Sequence, residues 1–504
     1  MPKNLVRTTL WITISEIIFN ISGFFIHTVM GRILGPADYG RYGIVVTLTT
    51  MVIILVGNGI PTAMAKYLSE IFETKPHLIS IIKKQAILLQ SVIVGTITIL
   101  FFIFSPLIAK LLGDATLTPL FRLSTLIIPS FAMASFYFSY YTGLHQFNIQ
   151  SILKVFRSIF KIIFILLFAY FWKLEGSISG YIVAPLTIFF IALAIDKFKI
   201  SKQLKRTPKF ITEIKQKENF DWRLLINYAW QIIIFFLAYE LLISIDLYMV
   251  KAILKSDYST GIYNASLTLA RIPYYIFYSL TVILLPVISK TTSQNNHTQT
   301  AKIINQSLRL MLILLVPMIV LMSVFAQPLI RLFYSSRYES SALPMTILVL
   351  GVGFLTIYYV FCFVMSGANK VKKPMLISIF GLFLNIILNY FLIKKYALVG
   401  SSIATSITSI VITFIMLYYI WKDFGVKISL KFFSKIIIAG TLMLGVSQLL
   451  PSQEKFTFIF WSFLLFIFYL DILYVLGEIG KKDMLIIKSL TIKKNNKNNL
   501  VSRI

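Results

Sequence analysis

GRILGPADYGRYG, residues Gly31 to Gly43, is a polar stretch of glycines, one proline and an Asp-Tyr pair set between two long apolar runs. It has an echo half a chain later. Lys251 to Tyr263 reads KAILKSDYSTGIY, so Ile33-Leu34 is matched by Ile253-Leu254, Asp38-Tyr39 by Asp257-Tyr258, and Gly40-x-Tyr42 by Gly261-x-Tyr263. Glycine supplies backbone freedom and aspartate favours turns, so both stretches read as tight connectors between helices. A connector used twice implies that the chain contains two copies of one unit.

The echo continues on either side. Pro106-Leu107-Ile108 recurs as Pro328-Leu329-Ile330, Gly143 as Gly367, and EGSISGYIVAP around Gly176 as VGSSIATSITS around Gly400. The offset drifts only from 219 residues (Asp38 to Asp257) to 224 (Gly143 to Gly367). Glycine-rich turns and chance tripeptides occur in any polytopic protein, but they would not keep one order and one offset.

Composition says what the units are made of. The 504 residues are 58% hydrophobic and 13% charged, with mean hydropathy +0.83, and so few charges cannot cover so much apolar surface in water. This predicts a membrane protein. A net charge of +29, from 48 Lys and Arg against 19 Asp and Glu, would suit nucleic-acid binding if it were clustered. It lies instead in short segments between apolar runs, where it orients a polytopic chain and meets anionic headgroups. A single cysteine, Cys362, excludes an internal disulfide. His27, His77, His145 and His297 lack ligand spacing, so neither a metal nor a cofactor is expected. The start, MPKNLVRTTLWITISEIIFNISGFF, begins like a signal peptide, but its apolar run is too long and no small-residue cleavage site follows. It predicts a retained first helix.

Fourteen apolar runs between residues 8 and 477 have the length of transmembrane helices, roughly 18 to 25 residues each. An even count puts both termini on one side. Lys and Arg crowd the N-terminus, the even-numbered loops and the C-terminal tail, which assigns that side to the cytoplasm. The expected fold is all-α: a six-span N-lobe over residues 1–196, a basic cytoplasmic linker over 197–222, a six-span C-lobe over 223–422, spans thirteen and fourteen over 430–478, and a basic tail over 479–504. A six-span unit returns to its starting side, so the lobes are parallel repeats about an axis along the membrane normal, around a central cavity. No loop on the opposite side is long enough for a catalytic domain.

The connector GRILGPADYGRYGIVVTL, LLPVISK closing span eight and GSSIAT opening span twelve resemble the polysaccharide transporter branch, including Wzx-type flippases, of the multidrug/oligosaccharidyl-lipid/polysaccharide (MOP) exporter superfamily. The resemblance covers essentially the whole chain and is strongest over residues 1 to 90. It implies a V-shaped, MATE-like arrangement and translocation of a polyprenyl-diphosphate-linked oligosaccharide to the outer leaflet by alternating access. A cationic central cavity would receive the diphosphate. Glycosyltransferases or a glycan polymerase would be partners.

Charges inside apolar runs are costly, about 2.5 to 3.5 kcal/mol each on insertion scales, so they mark candidate sites. Arg271 shares a helical face with Thr268, Tyr275 and Tyr278, and guanidinium grips phosphate oxygens in a bidentate manner. Related lipid flippases carry a functional arginine on the corresponding span. Lys154, Arg157 and Lys161, spaced three and four apart, form a cationic ladder on span five. The second copy has Ser378, Gly381 and Asn385 there, extended by Asn389. Positive-inside anchoring is the alternative for Lys154 and Arg157. Glu16, Asn20, Gly23 and His27 form a polar stripe on span one, expected to face a cavity. Glu16 is a candidate for ion coupling and His27 for titration or sugar contact, against a buried structural pair. Glu240 on span seven is the second ion-coupling candidate; Asp246, six residues on, points about 120 degrees away and reads as structural or interfacial. Asp471 reads as structural or interfacial, and the aromatics of SFYFSYY at Ser135 as belts, packing or sugar platforms.

Three functions compete. A lipid-linked oligosaccharide flippase suits the cations. A cation-coupled drug exporter of the same superfamily would favour an acidic cavity. A membrane polymerase or glycosyltransferase needs a large outer loop or an acidic metal motif, and neither is present; nor is a GxxxxGK[ST] phosphate loop.

Overall fold

The computed structural model describes residues 3–72, 75, 77–202, 220–294, 296–426, 429–450 and 457–478. Most of the linker and the basic tail lie outside these. Every regular element among them is helical. In order these are α1 (Lys3–Asn58), α2 (Ile60–Ile71), α3 (Leu78–Leu111), a 3-10 turn (Ala115–Leu117), α4 (Thr118–Ser124), α5 (Ile127–Gly143), α6 (Phe147–Ile195), α7 (Arg223–Leu254), α8 (Asp257–Ala270), α9 (Ile272–Ser293), α10 (His297–Val324), α11 (Ala326–Phe333), a 3-10 turn (Ser336–Ser341), α12 (Ala342–Gly367), α13 (Lys372–Phe424), α14 (Leu430–Ser447) and α15 (Thr457–Val475). Ten helical segments among the described residues are long and apolar enough to cross a membrane. The protein is a multi-pass membrane protein.

Three of the long helices are each two helices joined across a break: α1 at Gly35, α6 at Trp172 and Lys173, and α13 at Ala397. The connector expected as a loop over Gly31 to Gly43 therefore shrinks to one non-helical residue, Gly35, with φ 74°. Glycine takes that conformation without the Cβ penalty, and Pro36 suits the first turn of the helix that follows. Its echo uses Lys255 in the left-handed region (φ 51°), then Ser256, whose hydroxyl accepts from the Ser259 N–H as an N-cap.

The repeat is written into the backbone. Left-handed residues recur in pairs 224 apart, His145 (φ 57°) with Asn369 (φ 58°) and Lys173 (φ 44°) with Ala397 (φ 49°). Gly176 and Gly400, again 224 apart, each lie so close to an earlier turn that an added Cβ would strike a carbonyl, of Phe168 in one copy and Leu392 in the other. A register fixed this way also aligns the residues between.

Three apolar clusters hold the molecule. One is confined to the first half plus the start of α7, with Leu68, Ile82, Tyr141 and Leu225; a second belongs to the second half, with Met311, Phe361, Met416 and Met443. The third joins the halves, bringing Met30, Tyr39 and Tyr42 of α1 against Tyr263 of α8 and Tyr334 beyond α11. There α8 packs on α1.

Candidate functional site

The two echoed connectors meet at this joining cluster. An added Cβ on Gly40 would collide with the Asp257 carbonyl and come within 2.8 Å of the Gly261 nitrogen; one on Gly261 would collide with the Pro36 carbonyl and come within 3.1 Å of the Gly40 nitrogen. Since Pro36 and Asp257 are separated by the same 221 residues as Gly40 and Gly261, the contact is reciprocal. Glycine is required at both positions because backbone meets backbone.

A charged cluster surrounds this seam. Lys251, 1% exposed, pairs with Asp257 and, across the halves, with Asp114 at 2.8 Å, while Arg41 reaches Asp257 at 3.5 Å. Burial pushes the Asp114 carboxyl up, but hydrogen bonds from Lys251 and Thr116 outweigh it and hold the group below the usual carboxylate range. Such a group stabilises the fold fully above about pH 4 and loses that contribution as pH falls through its lowered value. Lys251→Met is expected to destabilise the seam by about 2 kcal/mol, read as a lower thermal midpoint at pH 7, and the difference from wild type should shrink as the pH drops below about 4. Beneath the charges, Tyr39 Oη lies 3.0 Å from Tyr334 Oη, and the Tyr338 hydroxyl donates to the Gly31 carbonyl at 2.7 Å.

Below the seam, α1 faces α6 on its own side and α9 on the other. Glu16 and Lys154 form an ion pair, and the Asn20 amide donates to the Glu16 carbonyl at 3.0 Å. Arg157 is 5% exposed and stacks among Phe19, Phe138 and Phe131, its guanidinium carbon 4.5, 4.9 and 5.0 Å from the three ring centres. Its Nε has no hydrogen-bond partner among the described residues. The Lys161 ammonium lies 4.8 Å from the Tyr181 ring centre and 5.5 Å from that of Phe19. Neither cation has a carboxylate within ion-pair distance among the described residues.

On the opposite wall, Arg271 stands at the joint between α8 and α9, where Pro273 follows. Pro273 suits the first turn of α9 and has no N–H to donate back into α8, which breaks the run at Arg271. The freed guanidinium donates to the Ile243 carbonyl and bonds Tyr275. Glu240 and Asp246 are near enough for their charges to act on it, but neither forms an ion pair with it. His27, bonded through Nδ1 to the Tyr39 hydroxyl at 3.2 Å, feels both Lys161 and Arg271. The structure thus brings His27, Lys161 and Arg271 together across the two halves.

Glu16, Asn20, His27, Lys161, Glu240, Arg271, Tyr275 and Tyr278 are each half-buried. A cavity of about 510 Å³ between α1 and α9 includes Asn20, Phe24, Tyr275 and Ser279 and runs out to the exposed Ile21 and Ile276.

Asn385 stands elsewhere. It is 1% exposed inside the second half, where Asn389 bonds its side chain at 2.7 Å and Thr405 its amide at 3.4 Å. Thr405 also bonds Asp246 at 3.1 Å, as does the Tyr263 hydroxyl at 2.9 Å. Asp246 is fully buried in this network, as a structural residue is. Sequence reasoning missed Phe19, Tyr181, Lys251 and Asp114. Phe19 sits within the Glu16-to-His27 stripe, and Lys251 opens the echoed connector, so both carried a usable signal.

The family model described as polysaccharide biosynthesis protein matches residues 5–292, and the MatE family model matches residues 232–391. Stage V sporulation protein B of Bacillus subtilis is 23% identical over 484 residues, covering 88% of this chain and 90% of its own. The probable lipid II flippase MurJ of Buchnera aphidicola is 30% identical over 187 residues, 33% of this chain and 34% of that protein. Among solved structures, lipid II flippase MurJ in an inward closed conformation superposes with TM-score 0.71 at 19% identity, covering 94% of this chain and 99% of that one. An inward-facing multidrug resistance MATE family transporter of the MOP superfamily gives TM-score 0.65 at 11% identity, with 88% and 96% covered.

Proposed function

This chain belongs to the polysaccharide biosynthesis protein family, on the lipid-linked flippase branch of the MOP exporter superfamily, and we propose that it carries a polyprenyl-diphosphate-linked oligosaccharide from the cytoplasmic to the outer leaflet. It is a transporter, not an enzyme. The observation that carries the proposal is that Lys161 of the first half and Arg271 of the second both act on His27, neither of them ion-paired among the described residues; we take the space they flank as the vestibule. Lys161, held away from water with no counter-charge at ion-pair distance among the described residues, costs several kcal/mol unless something anionic arrives, while Arg271 feels Glu240 and Asp246 without pairing to either. A diphosphate supplies two phosphates for two walls, with His27 between them and Asn20 and Tyr275 offering hydrogen bonds. Lys154 and Arg157 extend the positive field toward the terminus of α1.

In this reading the three broken helices count twice, α7 and the joined α8 and α9 count once each, and the total is fourteen spans. Residues 1–196 and 223–422 form the parallel lobes, and α14 and α15 the appended pair. The termini are cytoplasmic in the plasma or inner membrane, so the glycine seam is the outer gate, shut here. The cavity between α1 and α9 opens sideways, which lets a lipid tail remain in the bilayer while its headgroup enters. Glu240, beside Arg271, is the group whose charge responds to an ion gradient; Glu16, held by Lys154, is the second. Enzymes that build or polymerise the glycan would supply or take the cargo.

The test is a leaflet-resolved assay with purified protein and a purified lipid-linked glycan in vesicles. Glycan should become accessible to an impermeant reagent on the far side. Export of cationic drugs with no movement of glycan would overturn the proposal in favour of a multidrug exporter.

A further inference from the structure

Phe156, Phe160, Phe164, Phe168 and Trp172 follow one another at four-residue steps on the first helix of α6, with successive ring centres 6.1, 6.1, 5.9 and 5.7 Å apart. Sixteen residues of helix carry the column about 24 Å, most of a hydrocarbon layer about 30 Å thick. Its ends are open, Phe156 at 46% and Trp172 at 61% exposure, and it borders the exposed Ile159, Ile163 and Leu167. Phe160 packs in part on the core of the first half.

The second copy supplies an internal control. In the register fixed by Lys173 with Ala397 and by Gly176 with Gly400, the column maps to Phe380, Leu384, Leu388, Leu392 and Tyr396. Helix packing at the three central positions is therefore met by leucine, and Gly400 packs on the Leu392 carbonyl just as Gly176 packs on that of Phe168. Nor does contact with bilayer lipid call for rings, since lipid tails are as apolar as leucine. Among the other differences along this helix, the first copy has Lys154, Arg157 and Lys161 where the second has Ser378, Gly381 and Asn385. The second copy carries rings of its own at other positions, Phe383, Tyr390 and Phe391, and cations at Lys394 and Lys395 near its break. What the first copy alone has is the unbroken column beside the cation ladder; each cation at 157 and 161 follows a ring by one residue, about 100 degrees around the helix.

We propose that the column from Phe156 to Trp172 is a rail for the isoprenoid tail of the cargo, selecting an unsaturated, methyl-branched chain over a saturated one. The inference rests on the function proposed above. A headgroup crossing the vestibule leaves its tail in hydrocarbon, so the tail must travel beside the protein from one leaflet to the other, and a column of rings that winds about 160 degrees around the helix over that distance offers a ring at every depth. The neighbouring stripe on the same helix holds the headgroup.

The test compares binding of a polyprenyl diphosphate and a saturated alkyl diphosphate of equal carbon number, each in phospholipid vesicles, to the full-length protein. The wild type should prefer the polyprenyl chain by about tenfold, from a few aromatic contacts of modest strength. The variant Phe160→Leu/Phe164→Leu/Phe168→Leu, which copies the second repeat, should bind the two lipids within about twofold of each other while its affinity for inorganic pyrophosphate stays at the wild-type value. Phe164→Leu alone should fall between. A wild type without preference, or a triple variant that keeps it, overturns the rail and leaves the flippase reading standing. If neither lipid nor pyrophosphate binds the folded wild type, the flippase reading fails and the rail fails with it.

Discussion

Arg271→Ala and Lys161→Ala each reduce translocation of lipid-linked glycan by about a hundredfold or more, while the purified variants remain monodisperse and folded. The size follows from what each cation is asked to do. Removing one partner from a desolvated charge pair costs about 2 to 5 kcal/mol, and 2.8 kcal/mol is already a factor of about a hundred. Folding should survive because neither residue closes an ion pair that the fold depends on: Arg271 bonds a carbonyl and Tyr275, and Lys161 lies against Tyr181 and Phe19. Losing Lys161, which has no carboxylate at ion-pair distance among the described residues, even removes a cost from the empty protein. Arg271→Lys keeps the charge but not the planar fork, so it should recover only part of the rate. Initial rates in vesicles, set against thermal midpoints in detergent, check this. Wild-type rates in both alanine variants would take the anion out of the vestibule.

The repeat was legible because its marks are local: glycines, prolines and turn residues at a fixed offset, which the left-handed pairs His145/Asn369 and Lys173/Ala397 then reproduce in the backbone. The polar stripe on α1 was legible for a similar reason, since an apolar helix gives polar residues no background to hide in. What could not be read was pairing between elements distant in the chain. Nothing in the spacing of Glu16 and Lys154 says that they meet, nor that Asp114 reaches Lys251. Asn385 misled for a related reason. Its place in the repeat equals that of Lys161, but Asn389, Ser401, Thr405 and Asp246 gather around it in a network internal to the second half. Equivalent register fixes where a residue stands on its helix, and leaves open what the neighbouring helices bring to it.

Gly261→Leu should hold the outer gate open. The seam closes only because α1 and α8 approach to backbone contact at Gly40 and Gly261, and there is no flexible side chain to move aside: the atoms in the way are the Pro36 carbonyl and the Gly40 nitrogen. Forcing extra carbons into such a contact costs about 1 to 3 kcal/mol or more. Helical φ and ψ at Gly261 suit leucine, so the cost falls on the closed seam rather than on the fold of α8. An alternating-access protein can relieve it by parting the seam, which the same energy shifts by a factor of about 5 to 150. A cysteine pair placed at Arg41 and Tyr258, on the two sides of the seam, should cross-link readily in the otherwise wild-type protein and poorly with leucine at 261. Glycan transport should fall in parallel, because a gate that cannot shut cannot return the vestibule to the cytoplasmic side. Gly425→Leu, at an open position where an added Cβ meets nothing within 4 Å, tests whether a bulky side chain anywhere has the same effect. It lies beyond α13 and should leave cross-linking at the seam unchanged, whatever its left-handed backbone costs in stability. Equal cross-linking with glycine and leucine at 261 would show that α1 and α8 do not separate, and the gate would have to be sought elsewhere.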